Sequence, residues 1–150
     1  MAVHCSADDI VAEARGWLGT PYLHQASCKG AGADCLGLVR GVWRAVIGPE
    51  PETVPSYTPD WSEVSREERL DAGAARHMTR LSGRWGRGDV LLFRMQGAAV
   101  AKHVAIVSET GPEGARIIHA YSGHGVVETS LGPAWSRRIV AAFRFPDRST

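Results

Sequence analysis

Several features are scarce or absent in this chain of 150 residues. Lys and Arg together number 17 against 16 for Asp and Glu, so the chain lacks the basic excess of a nucleic-acid-binding protein. No apolar run approaches the roughly 18 residues that a membrane-spanning helix needs, and we expect no membrane span. Residues 1–9 lack the basic start and apolar run of a secretory signal peptide. We therefore expect synthesis in the cytoplasm without such a signal.

Cysteine is also scarce, since the chain contains only Cys5, Cys28 and Cys35. An odd number of cysteines at irregular spacing is a poor disulfide framework, which indicates a reducing compartment and at least one free thiol. His4 and His24 lie near two of these cysteines, but their spacings lack the paired pattern of zinc sites. No glycine motif for phosphates or dinucleotides is present. We therefore expect neither a metal nor a cofactor.

What is present is the composition of a globular domain. Hydrophobic residues make up 44% of the chain and charged residues 22%. This balance argues against disorder, and a chain of this length can bury a core of its own. The whole chain, residues 1–150, is expected to form one domain.

Helical periodicity is confined to the first half of the chain. Ser6 and Asp9 have the spacing of a capping box, and apolar positions repeat at helical spacing after them as far as Leu18. Asp34 can cap a second helix, which Gly48 ends. A third helix is expected over about 62–81, whereas residues 22–33 are predicted to form a loop.

Short strand-like segments fill the second half. They are rich in β-branched and aromatic residues and are separated by turns that contain Gly and Pro. There are five of them, at residues 90–93, 103–107, 115–120, 126–129 and 139–145. Helices followed by strands indicate an α+β fold with an antiparallel sheet of about five strands.

Cys35 is the most informative residue of the chain, because it follows the Asp34 cap in the first turn of a predicted helix. The positive end of the helix dipole favours the thiolate, which is the nucleophilic form of cysteine. The alternative is a buried cysteine that acts as a small apolar residue, which is the commoner role of free cysteines.

His103 and His119 could supply the base that such a nucleophile needs. A hairpin about residues 110–114 would join their strands, and their separation of 16 residues is even. With antiparallel pairing and an even register sum, both imidazoles point to one face as opposite or diagonal neighbours. His103 would then take the thiol proton, while His119 would fix its tautomer and ring angle. Two unrelated, half-buried histidines are the alternative.

Aromatic residues near loops are weaker candidates. Tyr22 could offer its hydroxyl to the oxyanion of a reacting carbonyl, or it could pack under a loop. Trp61, Trp85 and Trp135 could line a substrate groove, but packing in the core or at its rim is the preferred interpretation for each.

Five motifs, in order, resemble those of NlpC-type cell-wall cysteine peptidases. They are Gly19-Thr20-Pro21-Tyr22, Asp34-Cys35-Leu36-Gly37-Leu38-Val39, Gly88-Asp89-Val90-Leu91, His103-Val104-Ala105-Ile106-Val107 and Ile117-Ile118-His119-Ala120. The resemblance implies a papain-like fold, with the N-terminal helices packed on the antiparallel sheet. It also implies that Cys35 is the nucleophile, that His103 is the base, that His119 orients the base, and that Tyr22 assists at the oxyanion.

Residues 24–44 resemble a narrower branch, the small peptidases encoded with phage tails, prophages and gene transfer agents. This implies hydrolysis of peptidoglycan stem peptides at the bond between D-γ-glutamate and the following diamino acid. It also implies tail or baseplate proteins as partners, and action in the periplasm of a target cell. Leu36 replaces the serine of many members, so we expect altered substrate fit rather than lost activity. An amidase or acyltransferase with the same Cys–His pair, and an inert tail or wall-binding module, are the alternatives.

Overall fold

The computed structural model describes residues 6–51, 74–94, 101–121 and 123–146. The helices whose two ends are both described are α1 (Ala7–Arg15), α2 (Cys35–Val46) and α3 (Pro133–Ser136). The strands are β1 (Ser27–Cys28), β2 (Gly32–Ala33), β3 (Thr79–Arg80), β4 (Val90–Arg94), β5 (Ala101–Glu109), β6 (Arg116–Tyr121), β7 (Gly125–Ser130) and β8 (Ile139–Arg144). Within the described ranges, no helix is both long enough and apolar enough to cross a bilayer.

The main sheet has six strands in the order β3-β8-β4-β5-β6-β7, and every neighbouring pair is antiparallel. Strands β4 to β8 correspond to the five predicted segments, so the α+β prediction is confirmed. A separate two-stranded sheet, β1-β2, lies in the region 22–33 that was expected to be a loop.

The predicted end of the third helix is wrong. Residues 74–77 are helical, but Thr79 and Arg80 form the edge strand β3, paired with Arg144 and Phe143 of β8. Pairing with the open edge of β8 overrides the helical preference of this short segment. Residues 62–73 of the predicted helix lie outside the described residues.

Helix α1 begins at the predicted capping box. The Asp9 backbone N–H donates to the Ser6 hydroxyl at 3.1 Å, and the Ser6 N–H donates to the Asp9 carboxylate at 3.2 Å. The helix ends at Arg15 rather than near Leu18, which is exposed. The Arg15 guanidinium lies 3.0 Å from the carboxylate of Glu128, which ties the end of α1 to β7.

The sheet is covered by apolar residues on both faces, because successive residues of a strand point to opposite sides. One face packs against α1 and α2 and includes Leu92, Val104, Ile106, Ile118 and Val126. The other face includes Leu91, Phe93, Ala105, Val107 and Ile117, and Trp85 and Trp135 pack against it.

Two glycines allow α2 to lie unusually close to its neighbours. A Cβ at Gly41 would lie 2.0 Å from the ring of Trp17, which packs against α2 from the chain just after α1. A Cβ at Gly37 would lie 1.8 Å from the carbonyl oxygen of Ala26. Both distances are far below van der Waals contact, so side chains at these positions would push α2 out of place. The start of α2 is therefore fixed against the preceding loop.

Candidate active site

Asp34 anchors the start of α2 and is almost fully buried. One carboxylate oxygen accepts the backbone N–H of Gly37 at 2.7 Å, which is the predicted N-cap. The other accepts the backbone N–H of Gln25 at 2.8 Å. Gln25 has a φ of +63°, in the left-handed region that non-glycine residues rarely adopt. The carboxylate therefore ties the loop to the helix and fixes the position of Cys35.

The Cys35 sulfur is buried and surrounded by backbone donors. The N–H groups of Val104 and Leu36 hydrogen-bond to it and, together with the N–H of Cys35 itself, favour the thiolate. Burial opposes them, and together with the nearby negative charge of Asp34 it raises the pKa of the thiol to about 12. The helix terminus favours the thiolate as expected, but desolvation outweighs the donors, so the neutral thiol is the resting form of Cys35.

The sulfur reaches β5 at the point where β5 leaves its neighbour β6. Residue pairs between these two strands run from Glu109–Arg116 to Ile106–Ile118. Closer to the start of β5, the Val104 N–H hydrogen-bonds to the Cys35 sulfur. The nucleophile candidate therefore contacts the residue that directly follows His103.

His103 and His119 lie on one face of the sheet as diagonal neighbours, as predicted. The pairing of Ile106 with Ile118 gives the even register sum that this requires. Nε2 of His103 lies 2.8 Å from Nδ1 of His119, and both rings are buried. The two histidines are therefore joined directly rather than placed independently.

Both imidazoles are neutral at pH 7. Burial, followed by the charge of His119, lowers the pKa of His103 to about 3. Burial, followed by the charge of His124, lowers the pKa of His119 to about 4. One proton therefore lies between the two rings, and its position decides which nitrogen of His103 can act as a base.

Two contacts of the histidine pair were not predicted. Nε2 of His119 lies 3.0 Å from the hydroxyl oxygen of Thr129. The ring of Trp135 lies 5.3 Å from that of His103 and 5.4 Å from that of His119. The pairing of His119 with Val127 puts Thr129 on the same face, but only the register reveals this. Core or rim packing was the preferred interpretation for Trp135, and its contacts with the histidine rings went unrecognised.

Tyr22 lies beside Cys35. Burial raises the pKa of its phenol, and the charges of Cys35 and then Asp34 raise it further. Tyr22 also forms an isolated β-bridge with Ala33, two residues before Cys35. Its segment is held to the start of β7, because the Gly19 N–H donates to Val126 at 3.0 Å and the Val126 N–H donates back to Thr20 at 2.9 Å. The tyrosine of the first motif and the cysteine of the second are thus brought together.

The third motif, Gly88-Asp89, has a structural role. The Asp89 carboxylate is buried and forms two hydrogen bonds of 2.9 Å with the guanidinium of Arg144. Gly88 has a φ of +88°, and its N–H donates to Val107 at 2.8 Å. These bonds join the beginning of β4 to β5 and β8 and keep the middle of the sheet in register.

The remaining histidines and cysteines do not assemble around a metal in the described part of the chain. His24 Nδ1 lies 3.9 Å from the Asp34 carboxylate, and Cys28 is exposed. No group of three or more His, Cys, Asp or Glu with metal-binding geometry occurs among the described residues. His4, Cys5 and Trp61 lie outside them.

Comparison with known proteins identifies the family. A model of the NlpC/P60 family matches residues 19–144. An NlpC/P60 family protein from Bacillus cereus superposes with a TM-score of 0.65 at 23% identity, over 93% of this chain and 40% of that one. NlpC2 from Trichomonas vaginalis superposes with a TM-score of 0.64 at 18% identity, over 96% of this chain and 46% of that one. The chain thus spans less than half the length of these two proteins.

The NlpC/p60 domain of the peptidoglycan hydrolase SagA is similar over nearly its full length. It is 25% identical with a TM-score of 0.60, over 93% of this chain and 99% of that one. No curated protein matches the chain. The papain-like fold expected from the motifs is confirmed by these neighbours. The chain belongs to the NlpC/P60 family, whose members are cysteine peptidases and hydrolases of peptidoglycan.

Proposed function

We propose that this protein hydrolyses amide bonds in the stem peptides of peptidoglycan, with Cys35 as the nucleophile and His103 as the base. The observation that carries this proposal is the convergence of backbone N–H groups on a sulfur that contacts the strand of the linked histidines. A binding module has no need of this combination. The similarity to SagA, which is named a peptidoglycan hydrolase, supports the substrate class.

Because Cys35 and His103 are both neutral, the reaction cannot begin from a thiolate–imidazolium ion pair. A thiol with a pKa of about 12 and an imidazole with a pKa of about 3 do not form an ion pair before substrate binds. The thiol proton therefore moves to Nδ1 of His103 as the sulfur bonds to the amide carbonyl carbon. His103 is a general base in this step rather than one half of a preformed ion pair.

The negative charge then lies on the former carbonyl oxygen. The backbone N–H of Cys35 and the hydroxyl of Tyr22 stabilise this oxyanion. His103 gives its proton to the leaving amine, the C–N bond breaks, and a thioester remains on Cys35. Water attacks the thioester as His103 takes its proton, which releases the carboxylate product and restores the thiol. Loss of the Tyr22 hydroxyl is expected to lower kcat about 100-fold, as for other single oxyanion donors.

For the bond itself, we propose the one between D-γ-glutamate and the following diamino acid. The motif resemblance supports this choice. Leu36 stands directly after the nucleophile, where many members carry serine, and its side chain is only half-buried. An apolar group there is expected to change the fit of the substrate next to the scissile bond. The masses of the released peptides identify the bond that is cut.

Digestion of purified sacculi tests the proposal. The wild-type protein should release soluble muropeptides, Cys35→Ala should release none, and Cys28→Ala should act as wild type because Cys28 is exposed. Amidases and acyltransferases that use the same pair would leave different termini, which mass spectrometry separates. A Cys35→Ala variant that digests sacculi at the wild-type rate would refute the role of Cys35.

A catalytically inert wall-binding or tail module is the second candidate, and one observation favours it. Cys35 is only 6% exposed and its pKa is about 12, which is typical of structural rather than reactive cysteines. An inert module would bind sacculi in a pull-down without releasing peptides. Binding that Cys35→Ala leaves intact, together with no products from the wild type, would favour this function.

We also propose that the protein is carried in the tail of a phage-like particle and acts in the periplasm of the target cell. The resemblance of residues 24–44 to the tail-associated branch supports this proposal. Tail or baseplate proteins would then be its partners, and the tail would bring it to the cell wall. Immunoblots of purified particles test this, because the protein should cosediment with intact tails. Its complete recovery in the soluble fraction of the producing cells would contradict it.

A further inference from the structure

The hydrogen-bond chain of the two histidines continues one residue further than the family motifs indicate. Nε2 of His103 lies 2.8 Å from Nδ1 of His119, and Nε2 of His119 lies 3.0 Å from the hydroxyl of Thr129. We propose that Thr129 is a positioning residue, whose hydroxyl accepts a hydrogen bond from Nε2–H of His119 and so leaves Nδ1 of His103 available as the base. This inference rests on the proposed function of the same site.

Two proton arrangements fit the observed distances. In the first, Nε2–H of His103 donates to Nδ1 of His119, and Nε2–H of His119 donates to Thr129. Nδ1 of His103 then carries no proton and can accept one from Cys35. In the second, every donor and acceptor is reversed, so Nδ1 of His103 is already protonated and cannot act as a base. Only the first arrangement is productive.

The site is built so that Thr129 stays within reach of His119. His119 pairs with Val127 across β6 and β7, and Thr129 lies two residues further along β7 on the same face. The carboxylate of the preceding residue, Glu128, lies 3.0 Å from the guanidinium of Arg15 and accepts a hydrogen bond of 2.6 Å from the Ser108 hydroxyl. Bonds to α1 and β5 therefore hold the backbone that carries the hydroxyl.

Removal of the hydroxyl is expected to favour the unproductive arrangement. His119 is fully buried, so an Nε2–H without an acceptor is costly. A bare ring nitrogen without a donor is expected to cost less, as buried backbone N–H groups are left without a partner more rarely than buried backbone carbonyls. In a Thr129→Val variant, the proton between the rings should therefore move toward the arrangement in which Nδ1 of His103 is protonated.

The first experiment measures hydrolysis of a soluble stem peptide. Thr129→Val keeps the shape of the side chain without its hydroxyl, and kcat should fall roughly 10- to 100-fold with little change in KM. Thr129→Ser, which keeps the hydroxyl, should stay within about threefold of wild type. Ser130→Ala, at the exposed last residue of β7, is the control for general disturbance of the strand. Equal losses in Thr129→Val and Thr129→Ser would overturn the inference, and so would a wild-type kcat in Thr129→Val.

The second experiment does not depend on activity. Imidazole ¹⁵N chemical shifts distinguish a protonated ring nitrogen from a bare one. In the wild type, Nδ1 of His103 should be bare and Nε2 of His119 protonated, whereas Thr129→Val should show a larger protonated fraction at Nδ1 of His103. Unchanged shifts in Thr129→Val would overturn the inference. If no variant hydrolyses the peptide, the proposed function fails, but these shifts still decide the role of Thr129.

Discussion

The two buried imidazoles should make the stability of the folded protein depend strongly on pH. The folded-state pKa is about 3 for His103 and about 4 for His119, against an ordinary value of 6.5 for both. Between these values the unfolded chain binds more protons than the folded one. The contribution of the two neutral rings to the free energy of unfolding is therefore fully present above pH 6.5, and it is lost as the pH falls through the folded-state pKa values.

The size of this effect follows from the same pKa values. A difference of one pKa unit corresponds to about 1.4 kcal/mol, so the fall to about 3 for His103 is equivalent to at most about 5 kcal/mol. The corresponding bound for His119 is about 3 kcal/mol. The two overlap, because His119 contributes to the shift of His103, and together we expect about 4–7 kcal/mol. This is comparable with the whole stability of a small domain.

The Cys35 thiol makes the stability of the folded protein depend on pH in the alkaline range. The pKa of Cys35 is raised from 9.0 to about 12, so its contribution is present below pH 9 and is lost as the pH rises through the folded-state value. The equivalent free energy is at most about 4 kcal/mol. Stability should therefore be highest between the ordinary pKa values of histidine and cysteine, and it should fall on both sides.

Urea unfolding at a series of pH values, followed by circular dichroism, measures this profile. The free energy of unfolding of the wild type should fall by several kcal/mol between pH 7 and pH 4. A double variant, His103→Gln with His119→Gln, removes both titrating rings. Its free energy of unfolding should fall much less over the same pH range. Cys35→Ala should lack the alkaline fall, with Cys28→Ala as its control. A double variant that loses as much stability as the wild type on acidification would refute the reasoning.

Three further predictions concern single residues. Iodoacetamide should alkylate exposed Cys28 faster than Cys35 at neutral pH, and the Cys35 rate should rise about tenfold per pH unit, whereas a plateau near pH 7 would reveal a preformed thiolate. Gly37→Ala should cost about 3 kcal/mol or more in thermal unfolding, because its Cβ would lie 1.8 Å from a backbone oxygen, and an unchanged Tm would contradict the close approach. Trp135→Ala should admit water to the histidine rings and raise the pKa of His103 toward 6.5, so the acid limb of kcat/KM should move toward neutral pH. An acid limb that stays in place would show that Trp135 does not shield the pair.

Local patterns were sufficient to predict most of the framework. The capping box at Ser6 and the Asp34 cap involve residues three positions apart, so their geometry is decided within one helical turn. The common face of His103 and His119 follows from an even separation about one turn, since side chains alternate along strands. In each case the interaction that fixes the structure lies within a short stretch of chain.

Other features depend on contacts that no local pattern contains. The two-residue strand β3 exists because β8 offers it an open edge. The contact of His119 with Thr129 requires the register of β6 against β7, and the position of Trp135 requires the path of the chain after β7. The neutral state of the Cys35 thiol has the same origin, because helix position, which favours the thiolate, is local, whereas burial is decided by the elements packed around it.

The neutral state of buried Cys35 and His103 affects the proposed reaction. Ionising Cys35 and His103 in the closed site would create two charges where little water can solvate them. Attack on a carbonyl transfers the negative charge onward to the substrate oxygen, where backbone N–H groups and the Tyr22 hydroxyl can stabilise it. The same burial that suppresses the free thiolate strengthens those hydrogen bonds, because the local dielectric is low. The site therefore favours charge on the reacting carbonyl over charge on the resting sulfur, so the thiol is protected from alkylation and oxidation until a substrate is bound.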